Sequence, residues 1–108
     1  MKLPRFSPKP RKPRLFVLRR VMGDSMVPTL KPGAVVLGVR ARKVQPGDIV
    51  IVRHDDLDKI KRVKEVQLNK IFLTGDNSLQ STDSRDFGWL ESDSVMVKVV
   101  WIFKGLKI

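Results

Sequence analysis

The apolar residues of this chain come in short, β-branched runs, and none of these runs repeats with the 3.6-residue period of an amphipathic helix. The clearest runs are AVVLGVRA (34–41), DIVIVRH (48–54) and SVMVKVVWIF (94–103). Runs of this length and composition, separated by glycine, proline and small polar residues, are typical of β-strands. The sequence therefore predicts a mostly-β domain rather than a helical bundle.

Three further segments complete the predicted set of strands, at 15–21, 58–66 and 70–76. Pro46-Gly47 stands between the second and third strands and predicts a type II turn, in which glycine supplies the positive φ of the third position. We therefore expect about six or seven short strands, folded as a single small sandwich or partly open barrel.

The basic charge of the chain lies mainly at its amino terminus. Of the side chains that produce the formal net charge of +11, residues 1–20 contribute eight basic ones and no acidic one. The prolines within 2–14 remove backbone donors and fix φ, which favours an extended segment. We interpret residues 1–14 as a basic, proline-rich, flexible arm. Residues 15–108 then form one folded domain, because a chain of 108 residues has room for only one.

A basic arm is compatible with two kinds of partner, nucleic acid and an anionic membrane surface. Nucleic-acid binding is not expected, because aromatic residues make up only 6% of the chain and are not interleaved with the basic ones. Trp101, in the run VVWIF, is expected in the core instead. A non-catalytic β-barrel that binds nucleic acid stays open as an alternative of another class. Weak contact of residues 1–20 with a membrane surface also stays open.

The apolar runs are also too short for a membrane span. None approaches the roughly 18–20 residues that a spanning helix needs. The run LFVL at 15–18 follows the prolines and is too short for the apolar region of a secretory signal. We therefore expect a cytoplasmic protein, with a peripheral position at the membrane as the alternative.

Ser25, in the segment GDSMVPTL, is the first candidate for chemistry, but a serine hydroxyl needs a base to become a nucleophile. The chain has no cysteine and a single histidine, His54, whose neighbours lack the spacing of a metal site. A lysine can serve as the base only when burial keeps it neutral. Lys61 is a candidate because alternation along its strand puts it on one face with Val63, and Val66 on the other. The same pattern also fits an exposed lysine.

Three segments together point to a family. SMVPTL (25–30), KRV (61–63) and GDNSLQSTDSR (75–85) follow one another in the order and approximate spacing of the boxes of type I signal peptidases. Those enzymes share a serine–lysine peptidase group with the self-cleaving LexA-type repressors. The resemblance extends from Val21 to Trp101. It implies a peptidase with the fold of the signal peptidase catalytic core over 15–108, with no cofactor and no metal.

Carried over residue by residue, the resemblance implies that Ser25 is the nucleophile and Lys61 its general base. Ser81 matches the serine whose hydroxyl orients the lysine amine. The backbone N–H of Ser25 would supply one hydrogen-bond donor to the oxyanion. The second donor stays open, because Gly23 stands where some signal peptidases have a serine.

Four further residues match supporting positions in the family. Asp83 and Arg85 match a charged pair that is structural, and Met26 and Pro28 match residues that shape the nucleophile turn and the substrate cleft. The chain also departs from the family. The KRV box runs directly into KEVQLNKIF, which implies a tight hairpin without the inserted second domain, and the family's amino-terminal transmembrane helices have no counterpart.

The substrate expected from this resemblance is a precursor polypeptide that loses an amino-terminal leader or propeptide. The small size of the chain and the segment STDSRDFG (81–88) resemble the maturation proteases of nickel-type superoxide dismutase. A minimal type I signal peptidase that cleaves signal peptides at the membrane is the main alternative, and another soluble processing or self-cleavage reaction is a further one.

Overall fold

Seven antiparallel strands form one open sheet in the order β1-β2-β7-β3-β4-β5-β6. The computed structural model describes residues 16–41, 43–77, 79 and 83–104. The predicted arm at 1–14 lies outside the described residues, as does Ser81. The prediction of a mostly-β domain with about six or seven short strands is confirmed, and these strands form an open sheet. The elements are β1 (Phe16–Arg20), β2 (Val35–Val39), β3 (Ile49–His54), β4 (Leu57–Gln67), β5 (Lys70–Thr74), α1 (Ser84–Phe87), β6 (Leu90–Glu91), a 3-10 turn (Ser92–Ser94) and β7 (Val95–Phe103).

The core occupies both faces of the central strands, because successive side chains of a strand point to opposite faces. Ile51 of β3 belongs to the first core cluster, together with buried side chains of the segment that follows β1 and of neighbouring strands. Val50 and Val52, on the other face of β3, belong to a second cluster with residues of β4 and β5. Burial on both faces explains why β3 is read from the sequence as a continuous apolar run.

The turns follow the chemistry of their residues. The amide of Asp48 donates to the carbonyl of Gln45 at 3.1 Å, and Gly47 has a φ of 98°, so the predicted type II turn is confirmed. Asp55 and Asp56, between β3 and β4, both have positive φ, as a type I′ hairpin turn requires. β4 and β5 are joined through Leu68-Asn69, and this tight connection agrees with the absence of an inserted domain.

A β-bulge changes the predicted alternation in β4. The register of β4 against β5 shifts between Val63 and Glu65. Lys61 and Val63 lie on one face as expected, but the extra residue of the bulge brings Val66 against the same core cluster as Val63. The prediction that Val66 faces the opposite side was therefore wrong.

The prediction that Trp101 belongs to the core was also wrong, since its side chain is 61% exposed. A register shift pairs Leu37 with Trp101 and Gly38 with Val99, so Val100 is an extra residue in β7. The bulge moves Trp101 to the outer face of the sheet. Among the described residues, no helix has the length and apolar character needed to cross a membrane.

The close packing at this bulge gives a stability prediction. A Cβ placed on Gly38 would lie 2.5 Å from Cγ2 of Val97, so Gly38→Ala overpacks the contact between β2 and β7. We expect the free energy of unfolding, measured by urea denaturation, to fall by about 1–3 kcal/mol. Val97→Ala removes Cγ2 and should destabilise the Gly38→Ala background less than the wild type. Equal losses in the two backgrounds would contradict the packing explanation.

Candidate active site

Ser25 lies in a tight turn between β1 and β2 that is fixed by buried side chains. The amide of Leu30 donates to the carbonyl of Met26 at 2.8 Å, which closes a single helical turn just after the serine. Met26 and Leu30 are fully buried in the first core cluster, while Ser25 is half-buried. The buried side chains of Met26 and Leu30 therefore hold the turn against the core, and Ser25 lies at the surface of that core.

Ser25 and Lys61 line the same cavity, which has a volume of about 220 Å³. The cavity lies between the end of β1 and the first half of β4. Its apolar lining residues are Val21, Met22, Val36, Ile51 and Ile60, and the charged lining residues besides Lys61 are Arg19, Arg20, Asp58 and Lys59. The structure thus brings together two predicted site residues that stand 36 positions apart in the sequence.

Lys61 is buried, with only 4% of the residue exposed. It lies opposite Val50 of β3, on a strand face that continues into the second core cluster. This burial lowers the pKa of the Lys61 amine below its ordinary value. Asp83 acts against that effect, whereas the positive charges of Lys59 and Arg85 add to it. The net result is a lowered pKa, which raises the fraction of the neutral amine, the form that can accept a proton.

Asp83 and Arg85 form a two-pronged ion pair, with nitrogen–oxygen distances of 2.9 and 2.6 Å. The carboxylate of Asp83 is fully buried and also accepts from the backbone amide of Gly75 at 2.7 Å. The neighbouring Ser84 accepts from the amide of Leu73 through its hydroxyl oxygen at 2.8 Å. These bonds attach α1 to β5, on the side of the sheet where Lys61 is buried.

Asn77 attaches the segment after β5 to the turn that holds Ser25. Its backbone amide donates to the carbonyl of Ser25 at 2.9 Å, and its side-chain amide donates to the carbonyl of Asp24 at 3.1 Å. Sequence reasoning assigned no role to Asn77, although it belongs to the GDN segment that supported the family resemblance. The signal was present, but only the folded chain shows which residues it joins.

Asp76 makes a second connection between the site's elements. Arg62, next to Lys61 in β4, donates to both carboxylate oxygens of Asp76 at 2.8 Å. The hydroxyl of Thr29, in the turn that holds Ser25, donates to the same carboxylate. Hydrogen bonding from Arg62 holds the pKa of Asp76 below its ordinary value. β4 and the turn that holds Ser25 are therefore both bonded to one charged group, which sequence reasoning also missed.

The remaining predicted residues lie around this centre. Gly23 has a φ of 77°, a conformation that favours glycine, so this position offers backbone groups but no side-chain donor. Met26 and Pro28 are not among the residues that line the cavity: Met26 lies in the core beneath the turn and Pro28 is exposed. Ser81 lies outside the described residues.

His54 is not at the serine. Its Nδ1 lies 3.0 Å from Nζ of Lys59, its ring stacks against Phe87, and it is absent from the cavity lining. In the part of the chain that the structure describes, no three histidine, aspartate or glutamate side chains come together as a metal site would require.

A comparison with known families bears on this geometry. The model of the family described as Peptidase S24-like matches residues 3–99, which is most of the chain. A search of curated proteins finds no relative that matches.

The Asp76 connection gives a second stability prediction. Asp76→Ala removes a carboxylate that three donor atoms contact, so we expect unfolding at pH 7 to become easier by about 1–3 kcal/mol. Because the folded-state pKa of Asp76 is lowered, its contribution is present above the unfolded-state pKa and is lost as the pH falls through the folded-state value. The difference between variant and wild type should therefore shrink at acidic pH.

Urea denaturation at pH 7 and at about pH 3 checks this expectation, since the ordinary pKa of aspartate is about 3.9. Glu65→Ala is the control, because Glu65 is an exposed carboxylate on the same strand as Arg62. A loss that is the same at both pH values, or that Glu65→Ala matches, would contradict the role of Asp76.

Proposed function

Because the chain belongs to the Peptidase S24-like family, we propose that it is a serine endopeptidase in which Ser25 is the nucleophile and Lys61 the general base. The observation that carries the proposal is the burial of Lys61 in the wall of the cavity that Ser25 also lines. Burial lowers the pKa of the amine, and a neutral amine beside a serine hydroxyl is the requirement of a serine–lysine dyad.

The proposed reaction is acyl transfer in two steps. Neutral Lys61 takes the proton of the Ser25 hydroxyl while the serine oxygen attacks the substrate carbonyl, and the backbone N–H of Ser25 donates to the oxyanion. The lysine ammonium then gives its proton to the departing amine, and the peptide C–N bond breaks. Water attacks the resulting ester with Lys61 again as base, which releases the acid and restores Ser25. The hydroxyl of Ser81 is proposed to orient the amine.

The substrate is proposed to bind as an extended strand beside the cavity. β1 is an edge strand of the sheet, and β4 pairs with β5 only from Arg62 onward. In the described residues, the side of Leu57–Lys61 that faces away from β3 therefore has no strand partner. Both strands contribute residues to the cavity lining. An extended peptide can hydrogen-bond to such edges while its side chains enter the cavity.

We further propose that the physiological substrate is a precursor whose amino-terminal leader is removed, with nickel-type superoxide dismutase as the candidate. This finer assignment rests on the segment STDSRDFG (81–88). The cavity of about 220 Å³ with an apolar lining suits small uncharged side chains next to the cleaved bond.

A minimal signal peptidase at a membrane surface is the second candidate, and an exposed apolar patch favours it. Phe16 and Leu18 of β1 are 66% and 57% exposed, and they share an outer face with Trp101. The pairing Leu18–Leu37–Trp101 makes this face continuous across three strands. Exposed aromatic and aliphatic groups beside a basic segment are typical of binding to anionic lipid.

The dyad is tested with substitutions that remove each of its two functional groups. We expect Ser25→Ala and Lys61→Ala to lower cleavage by at least about a thousandfold, because the residues of a dyad act as a unit. The assay uses the nickel-type superoxide dismutase precursor and, in parallel, a peptide library made from a whole proteome, with new amino termini identified by mass spectrometry.

The matched control is Lys64→Ala, which removes an exposed lysine from the same strand. Cleavage of library peptides but not of the precursor would reject the superoxide dismutase assignment alone. Cleavage that survives both Ser25→Ala and Lys61→Ala would reject the dyad.

The membrane candidate has its own measurement. We expect the wild type to sediment with vesicles that contain phosphatidylglycerol, and a Phe16→Ser, Leu18→Ser, Trp101→Ser variant to remain in the supernatant, because the variant loses its apolar patch. Leu68→Ser is the control, since Leu68 is 98% exposed in the β4–β5 turn. Failure of the wild type to sediment, or an equal loss with Leu68→Ser, would reject the role of the patch.

A further inference from the structure

A second lysine, Lys59, stands next to the proposed base. Lys59 and Lys61 are two positions apart in β4, opposite Val52 and Val50 of β3, so both side chains leave the same face of the strand. Both residues line the cavity that contains Ser25. Residues in this relation lie about 7 Å apart, a distance at which two charges interact appreciably when water is partly excluded.

The side chain of Lys59 is held by two groups that do not neutralise its charge. Its Nζ lies 3.0 Å from Nδ1 of His54 and 4.8 Å from the centre of the Phe87 ring. A neutral imidazole accepts from an ammonium at Nδ1 when the ring proton is on Nε2, and Nε2 faces the carboxylate of Asp55 at 3.7 Å. The cation–π contact with Phe87 further restrains the ammonium.

We propose that Lys59, fixed by His54 and Phe87, is a positioning residue for the peptidase reaction, and that its positive charge adds to the effect of burial in disfavouring protonation of the Lys61 amine. The proposal rests on the proposed role of Lys61 as general base. It identifies Lys59 as an electrostatic partner that acts on the base without touching the substrate's reacting atoms.

The charges around Lys61 oppose one another, so the loss of one of them matters. Asp83 and Asp86 favour the protonated amine, whereas Arg85 and Lys59 favour the neutral form. The buried Asp83 is paired with Arg85, which compensates much of its charge. Removal of the Lys59 charge leaves less positive charge to oppose the effect of the carboxylates on Lys61. The Lys61 amine would therefore hold its proton to higher pH. The charged groups at the cavity margin are Arg19, Arg20 and Asp58.

The experiment compares Lys59→Met, which keeps an unbranched side chain but removes the charge, with Lys59→Arg, which retains it. The first measurement needs no substrate: the lysine Cε and Nζ signals of the full chain are followed by NMR across the pH range, with the Lys61 signal assigned from Lys61→Ala. In Lys59→Met, the neutral fraction of Lys61 at a pH below its midpoint should fall about three- to tenfold. Lys59→Arg should restore it, and Lys64→Met should not change it.

The second measurement is the pH profile of kcat/KM on a library peptide that the wild type cleaves. In Lys59→Met, the rise of kcat/KM with pH should move to higher pH, so that kcat/KM below the midpoint falls by the same factor as the neutral fraction of Lys61. Above the midpoint, the kcat/KM values of variant and wild type should converge. An unchanged Lys61 titration in Lys59→Met overturns the proposal, as does Lys59→Arg behaving like Lys59→Met. Lys59→Gln serves the same purpose should Lys59→Met not fold.

The two proposals fail separately. A shifted Lys61 titration in a protein that cleaves no peptide supports the electrostatic effect of Lys59 on Lys61 and rejects the peptidase, and with it a catalytic use of that effect. Cleavage that depends on Ser25 and Lys61 with an unmoved titration supports the peptidase and rejects the role of Lys59.

Discussion

The burial of the Lys61 amine is the constraint on which the rest of the site depends. An ammonium ion withdrawn from water costs several kcal/mol unless it loses its proton or gains partners. In this protein Lys61 is almost fully buried, on the face of β4 that leads into the second core cluster. The fold therefore lowers the pKa of the Lys61 amine in a residue that lines the same cavity as Ser25, and this is the property that the proposed serine–lysine dyad requires.

Three polar connections hold the two halves of this site in place. Asn77 bonds to the turn that holds Ser25. Asp76 joins that turn to β4 through Thr29 and Arg62. Asp83 attaches the start of α1 to the residue that follows β5. Each connection uses a residue of the segment after β5. That segment therefore joins, through hydrogen bonds, elements that are distant in sequence. Hydrogen bonds to buried or charged groups are well suited to such a role, because their geometry is specific and their loss is costly.

Much of the fold could be predicted from the sequence, because strand and turn signals are local. The β-branched runs and Pro46-Gly47 predicted strands and a turn that the structure contains. Bulges are the main exception, since Val66 and Trp101 face other directions than simple alternation suggests. One extra residue in a strand moves every later side chain to the opposite face of the sheet, and no local sequence pattern predicted these bulges.

The candidate site, like the fold, could be predicted only in part from the sequence. Ser25 and Lys61 were identified by motif resemblance, but alternation alone left open whether Lys61 is buried or exposed, and the folded chain buries it. The connection from Thr29 to Asp76 spans 47 positions, and the effect of Lys59 depends on His54 and Phe87. Such long-range relations require the folded chain.

The central claim concerns the ionisation of one amine, and the titration of the Lys61 side chain in the wild-type protein tests it most directly. NMR detection of the Lys61 Nζ reports its protonation state without any substrate. The account predicts that Lys61 loses its proton at a clearly lower pH than a solvated lysine, whose pKa is about 10.4. Titration of Lys61 near that ordinary value would contradict it.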